Sequence, residues 1–290
     1  MPPSRERGPL KRIGLFVAFA ALILVTWEGL KFIGGDPWRT EGWTWEPPLD
    51  IWFASDLLLP HAWDIWGALA NPVQRGAEQS LAQFLVGAAF YTWREAAIGF
   101  VAGAIIGVAL AAVFVHSRLL ERAFVPYVIA SQTIPIVALA PMIVFAFGQD
   151  VLSVVIIATY LTFFPVTIAM IRGLRSPDPR ALELMRSYAA SRWSVFWKLR
   201  MPASLPYLFT ALKISATASI VGAIVGEGPG GIPDGLGRAI VNFNTQYISG
   251  PEKLWATILA SALLGIAFFS LIRIAEVLTL RNRGLRTEAA

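Results

Sequence analysis

The chain has no cysteine, only two histidines, and charged residues at just 15% of its 290 positions. Without cysteine it forms neither disulfides nor thiolate metal sites. The histidines, His61 and His116, fall on opposite sides of the topology derived below. No clustered acid, base and metal set of the kind an integral-membrane enzyme uses can assemble around them. The G-x-x-x-x-G-K-S/T stretch that cradles nucleotide phosphates is also absent. The chain is therefore expected to be no enzyme and to hold no cofactor, and any ATP and Mg would be bound by a partner subunit.

What the chain has in excess is apolar sequence, 56%, too much for an ordinary soluble domain. Five windows reach the ~20 residues that cross a bilayer: Ile13–Phe32, Ala96–Val115, Val151–Ile171, Ala203–Val225 and Leu254–Leu278. A sixth, Ala123–Phe147, carries Pro126, Pro135 and Pro141. The expected fold class is an all-α membrane protein of about six transmembrane helices. Arg5, Arg7, Lys11 and Arg12 before the first run resemble a signal-peptide start. That run is too long for one and no A-x-A-like cleavage site follows, so it is expected to stay as a spanning helix.

Basic residues set the orientation. One side collects the four just named, then Arg118 and Arg122, then Arg172, Arg175, Arg180, Arg186, Arg192, Lys198 and Arg200, then Arg281, Arg283 and Arg286. The other receives Lys31, Arg39, Arg75, Arg94, Arg238 and Lys253. The richer side is expected to be cytoplasmic, with both termini there. The net charge of +5 thus reads as loop charge and not as a nucleic-acid surface; the lipid bilayer is the expected surroundings.

The plan that follows is an N-terminus and first helix over 1–33, an outer interfacial segment over 34–93, a five-helix core over 94–280 with an inner loop at 172–202, and a cytoplasmic tail at 281–290. The outer segment is acidic and holds Trp38, Trp43, Trp45, Trp52, Trp63, Trp66 and Trp93, residues that favour the headgroup level. It reads as an aromatic anchor, or as a gate or docking surface for an external partner. Leu81–Tyr91 is short for a span and reads as interfacial or re-entrant. Gly226–Pro251 reads as a glycine-rich outer loop.

The inner loop is polar and helical in a chain that otherwise favours the membrane. Asp178 suits an N-cap and Pro179 the first helical position. Ala181, Leu182, Leu184, Met185 and Tyr188 form an apolar face opposite Arg180, Glu183, Arg186 and Ser187. Ser191 can cap a second helix that Pro202 and Pro206 interrupt. Such an elbow is either a docking knob or a surface helix resting on the bilayer.

The segment resembles the cytoplasmic loop of ATP-binding cassette importer permeases, whose pattern is E-A-A-x3-G-x9-I-x-L-P. Glu183 stands at its Glu, Leu184 and Met185 at its alanines, and Ala189 replaces its glycine. Leu199, Arg200, Met201 and Pro202 follow at its spacing. Leu59-Pro60, Arg94 to Phe100, Ser131 to Pro135 and Phe163 to Val166 are similar to runs in the nitrate/sulfonate/taurine branch, a resemblance covering about residues 59–280. The resemblance implies an importer subunit in the cell inner membrane, in which two permease copies, expected to be a homodimer, form the pathway. It implies ATP-binding cassette ATPase subunits docked on Glu183, Leu184, Met185, Arg186, Ser187, Tyr188, Ala189 and Ala190, and an extracytoplasmic solute-binding protein.

Polar residues inside spans are candidates for the pathway. Ser131, Gln132 and Thr133 precede Pro135, where freed carbonyls need partners or water. Ser215 and Ser219 are a helical i, i+4 pair, although small hydroxyl residues more often pack helices. Glu227 opens the glycine-rich loop, either as a solvated carboxylate or as a gate. Lys213 is expected to snorkel. A stand-alone secondary transporter is the alternative, but it calls for intramembrane acids, and the spans show only Glu28 and Glu276. A sulfonate, nitrate, pyrimidine or flavin-like substrate is compatible with the chain, and the Trp-rich segment and hydroxyl-bearing helices would tolerate a flat heteroaromatic.

Overall fold

The computed structural model describes residues 9–40, 43–74, 76–228 and 232–281. Arg5, Arg7, Arg75, Arg283, Arg286 and the expected tail from 282 onward lie outside them. The described chain is all-α but for a hairpin of two three-residue strands, and five helices have the length and hydropathy of membrane spans, or six if one bent pair counts as a span. It divides into two compact units, residues 1–82 with 243–256, and 83–242 with 257–290.

The first unit is built on α1 (Pro9–Gly34), the hairpin β1 (Trp38–Thr40) and β2 (Trp43–Trp45), and α2 (Ala62–Ala70). A buried cation organises it. The Lys31 ammonium is fully buried, donates to the Leu59 carbonyl at 2.6 Å and pairs with Asp56. Glu28 accepts from the Ala62 N–H at 2.8 Å and bonds His61 Nδ1 at 2.7 Å. Lys31 and Glu28 therefore fasten the Trp-rich segment to the end of α1. Trp45 stacks on Phe32 at 4.5 Å, and Trp27 meets Trp255 edge-on at 4.9 Å. Trp52, Trp63 and Trp66 stay exposed, where an interfacial belt would place them.

The second unit centres on α6 (Val151–Leu174), held between α3 (Leu81–His116) and α9 (Met201–Glu227). Small residues permit the approach. A Cβ on Gly99, Gly103 or Gly107 of α3 would lie 2.9 Å or less from backbone oxygens of Val155, Thr159 and Phe163 in turn. On α9, Gly222 lies over Ala158 and Gly226 over Val154. Rising residue numbers on α3 meet rising numbers on α6, so these two run parallel, whereas α9 runs antiparallel to α6. Parallel neighbours require the chain between them to return across the layer. That return is made by α4 (Arg118–Ser131) and α5 (Ile136–Phe147), bent 97° to each other, which makes the bent pair the sixth crossing. The prolines of the sixth window thus produce a break and not a straight helix. The last helix, α11 (Pro251–Arg281), lays Phe268 against Trp93 and Phe100.

Four expectations change. Leu81–Tyr91 is no separate interfacial or re-entrant piece; it is the start of the 36-residue α3, about 54 Å long at 1.5 Å per residue and longer than the ~30 Å hydrocarbon core. The polar Thr92, Arg94 and Glu95 break the apolar run in the sequence but not the helix. The glycine-rich loop contains α10 (Leu236–Thr245). Pro202 and Pro206 do not interrupt their helix: α8 (Arg192–Val195) passes through a π-helical turn at Phe196–Arg200 into α9. The wider turn accommodates the N–H that Pro202 lacks, and the Ser204 hydroxyl donates to the Met201 carbonyl at 2.8 Å. Lys213 does not snorkel, because it pairs with Glu276 of α11 at 2.7 Å.

Candidate functional site

The inner loop folds as its local chemistry dictates. Asp178 accepts from the Arg180 N–H at 2.8 Å and starts α7 (Pro179–Ser187) with Pro179 in its first turn. The helix ends in a Schellman closure: the Ala190 N–H reaches the Met185 carbonyl at 3.0 Å and the Ala189 N–H the Arg186 carbonyl at 2.9 Å. This closure needs a left-handed residue, and Ala189 supplies it with φ of +50°. The bend thus survives the loss of glycine at that position. Ser191 accepts from the Ser194 N–H at 3.2 Å and starts α8.

Around this elbow the chain is anchored on one side and open on the other. Arg175 grips Glu121 of α4 through two hydrogen bonds, one of 2.7 Å. Ala181, Leu182, Met185 and Ala190 are half-buried. Glu183, Leu184, Arg186, Ser187, Tyr188 and Ala189 face outward, with Leu184 58% and Tyr188 78% exposed. Leu184 and the C-cap Tyr188, two large apolar side chains one turn apart, form a small exposed patch.

Left-handed alanine costs ~1 kcal/mol or more relative to glycine. Ala189→Gly is accordingly expected to tighten the closure, slowing hydrogen exchange at the Ala189 and Ala190 amides by about fivefold. Unchanged or faster exchange would remove the strain from the account.

The pathway candidates are not brought together. Ser131 and Thr133 donate to the backbone carbonyls of Val128 at 2.8 Å and Ala130 at 2.7 Å, as hydroxyls do at a broken helix. Between them the buried Gln132 Nε2 has no hydrogen-bond partner among the described residues, which makes it the residue of the three with capacity to spare. The Ser131 carbonyl accepts from the Tyr160 hydroxyl of α6. Ser215 and Ser219 are fully buried on the packed side of α9, donating to the carbonyls of Thr162 at 3.4 Å and Ala216 at 2.9 Å.

Glu227 is fully buried at the end of α9 and is not the solvated loop carboxylate that was one expectation. Its Oε2 accepts from the Gly237 N–H at 2.7 Å, while the neighbouring Leu236 N–H donates to Thr92 Oγ1 of α3 at 2.8 Å. The N-terminus of α10 therefore closes over the carboxyl group. Facing it is Glu95 of α3, also fully buried. Among the described residues, the other three oxygens of this pair have no hydrogen-bond partner beyond the pair itself and the flanking Tyr91 and Thr92. The expectation that the spans hold acids only at Glu28 and Glu276 is thus corrected. Glu95 was missed because it sits where polar neighbours divide α3 into two apolar windows; its signal is an acid inside a helix whose flanking turns are apolar.

Residues 99–278 match the family described as binding-protein-dependent transport system inner membrane component. The chain is 36% identical over 176 residues to the formylaminopyrimidine transport permease protein ThiX of Halalkalibacterium halodurans, covering 61% of this chain and 69% of that protein. It is 32% identical over 166 residues to the riboflavin transport system permease protein RibX of Chloroflexus aurantiacus, covering 57% and 61%. It is 28% identical over 182 residues to the putative aliphatic sulfonates transport permease protein SsuC of Bacillus subtilis, covering 63% and 65%. The matched segments span about two thirds of these relatives.

Proposed function

The chain belongs to the family of binding-protein-dependent transport system inner membrane components, and from that membership we propose that it is the pathway-forming subunit of an ATP-driven importer. Two copies form the conduit, cytoplasmic ATPase subunits dock on α7, and an external solute-binding protein delivers the solute. Both termini and α7 lie on the cytoplasmic side. The observation that carries the reading is α7 itself, capped at both ends and anchored beside the Arg175–Glu121 pair, yet leaving Leu184 and Tyr188 largely exposed among the described residues.

The cargo is a flat, nitrogen-containing heteroaromatic. Support comes from relatives named for formylaminopyrimidine and riboflavin at 36% and 32% identity, above the 28% of the sulfonate permease. The test is to isolate the tagged chain from its host membrane with its partners and to screen the co-purified binding protein against pyrimidines, flavins, sulfonates and nitrate. Recovery of a P-loop ATPase and a binding protein that takes up a pyrimidine or flavin is expected. A binding protein selective for sulfonate or nitrate would overturn the cargo, and a chain that transports in liposomes without ATP would overturn the importer.

A further inference from the structure

The end of the second unit that carries α7 gathers four guanidinium groups around one cavity. Arg118 opens α4, Arg186 lies on α7, Arg192 opens α8 and Arg200 closes the π-helical turn; with His116 they line about 630 Å³, and no carboxylate is among the lining residues. None of the four arginines is in an ion pair among the described residues. Glu121, one turn into α4, is engaged by Arg175 instead. Glu121 also lines the adjoining cavity with Arg118, Arg122, Arg175 and Arg200, but one carboxylate among so many guanidinium groups leaves an excess of positive charge, so the site is complementary to an anion.

An apolar groove adjoins this cavity. His116 and Arg192 also line a groove of about 1020 Å³ between α3 and α9. Its walls include Ile105, Ala109 and Val113 of α3 and Leu208 and Leu212 of α9. From Ala104 to His116 it follows α3 for about 18 Å at 1.5 Å per residue, close to the ~15 Å of hydrocarbon in one leaflet. Trp193 and Trp197 stand at its charged end, the position that indole rings take at the headgroup level. A charged recess, an aromatic rim and an apolar channel of leaflet depth follow one another in the order of a lipid's own parts.

We propose that this composite site binds an anionic phospholipid, with its phosphate among Arg118, Arg186, Arg192 and Arg200 and an acyl chain in the α3–α9 groove. Basic pockets between spanning helices recognise such headgroups. Charge and the order of polar recess, aromatic rim and apolar groove select this occupant. Because Leu182, Arg186 and Ala190 of the α7 region line the cationic cavity, the lipid bridges α7 to the bundle and steadies the elbow. The binding site stands independently of what docks on the outer face of α7.

The test uses the full chain in nanodiscs of equal phosphatidylglycerol and phosphatidylcholine with matched chains, extracted into detergent, with retained lipid counted by native mass spectrometry. Wild type is expected to retain phosphatidylglycerol selectively. Arg192→Gln with Arg200→Gln should lower that selectivity about fivefold for each arginine removed, while Arg192→Lys with Arg200→Lys retains it. Ala109→Trp fills the groove without touching a charge and should also release the lipid. Equal retention of the two lipids overturns the proposal. Displacement by glycerol 3-phosphate together with indifference to Ala109→Trp would make it a soluble-phosphate pocket. Because the chain lacks cysteine, Ile105→Cys gives an unambiguous last arm: efficient disulfide cross-linking between copies would assign the groove to a second permease.

Discussion

Leu184→Ala combined with Tyr188→Ala is expected to abolish solute-stimulated ATP hydrolysis in the assembled transporter while the permease still folds and inserts. Both side chains, on α7 and at its C-cap, are largely exposed, so their loss removes little packing among the described residues. Each is an anchor of the size that contributes ~2 kcal/mol at a partner surface, and together they weaken docking by ~4 kcal/mol, roughly a thousandfold. The control is Met185→Ala on the same helix. Met185 is half-buried, so its truncation should lower thermal stability and leave docking largely intact. Glu183→Lys changes one exposed charge and should act chiefly on association rate and its salt dependence. The measurements are co-purification of the ATPase and hydrolysis in proteoliposomes with and without loaded binding protein. Normal stimulation in the double variant would remove α7 from the coupling mechanism.

How much of this was legible in the sequence depended on how far each signal reaches along the chain. Asp178, Pro179 and Ser191 announce two helix starts because a cap is satisfied within three residues, and the structure has both. The spans were legible because the bilayer demands length and apolarity and little else. What failed was local punctuation read without its partners. Pro202 looks like a stop, but the π-helical turn before it absorbs the missing hydrogen bond. Lys31 looks like one more flanking charge, yet its role depends on Asp56, 25 positions away. Gly235 and Gly237 look like loop residues, whereas they let α10 close over Glu227. The stripe Gly99, Gly103, Gly107 is periodic in the sequence, but only the parallel contact with α6 says what the period is for. Glu95 and Glu227 lie on helices 132 positions apart by their numbering, and no window of sequence contains both.

The closure over that carboxylate pair yields the second large effect. Gly237→Ala is expected to be among the most damaging single-methyl additions in the chain. A Cβ there would stand 2.1 Å from the Ile224 carbonyl oxygen and 2.8 Å from Glu227 Cβ. The oxygen is backbone and cannot swing aside, so the start of α10 has to lift from the end of α9. Lifting it stretches the Gly237 bond to Glu227 and the Leu236 bond to Thr92. Overpacking costs ~1–3 kcal/mol, and stripping a buried carboxylate of its donor adds ~1–3 kcal/mol or more. Gly235→Ala should be milder though still severe. Its φ of +96° is strained for alanine, and its Cβ would meet the Glu227 carboxyl carbon at 2.3 Å, but a side-chain end can move at the loss of one hydrogen bond. Gly76 isolates the backbone contribution, with φ of +84° and open space around it, so Gly76→Ala should cost only ~1–2 kcal/mol. Glu227→Gln keeps an acceptor for Gly237 and turns a donor toward Glu95, so it should fold at least as well as wild type. Thermal denaturation of the four variants in one detergent gives the ranking. If Gly237→Ala proved as mild as Gly76→Ala, the contact between α10 and α9 would be looser than described, and the closure over Glu227 would lose its structural basis.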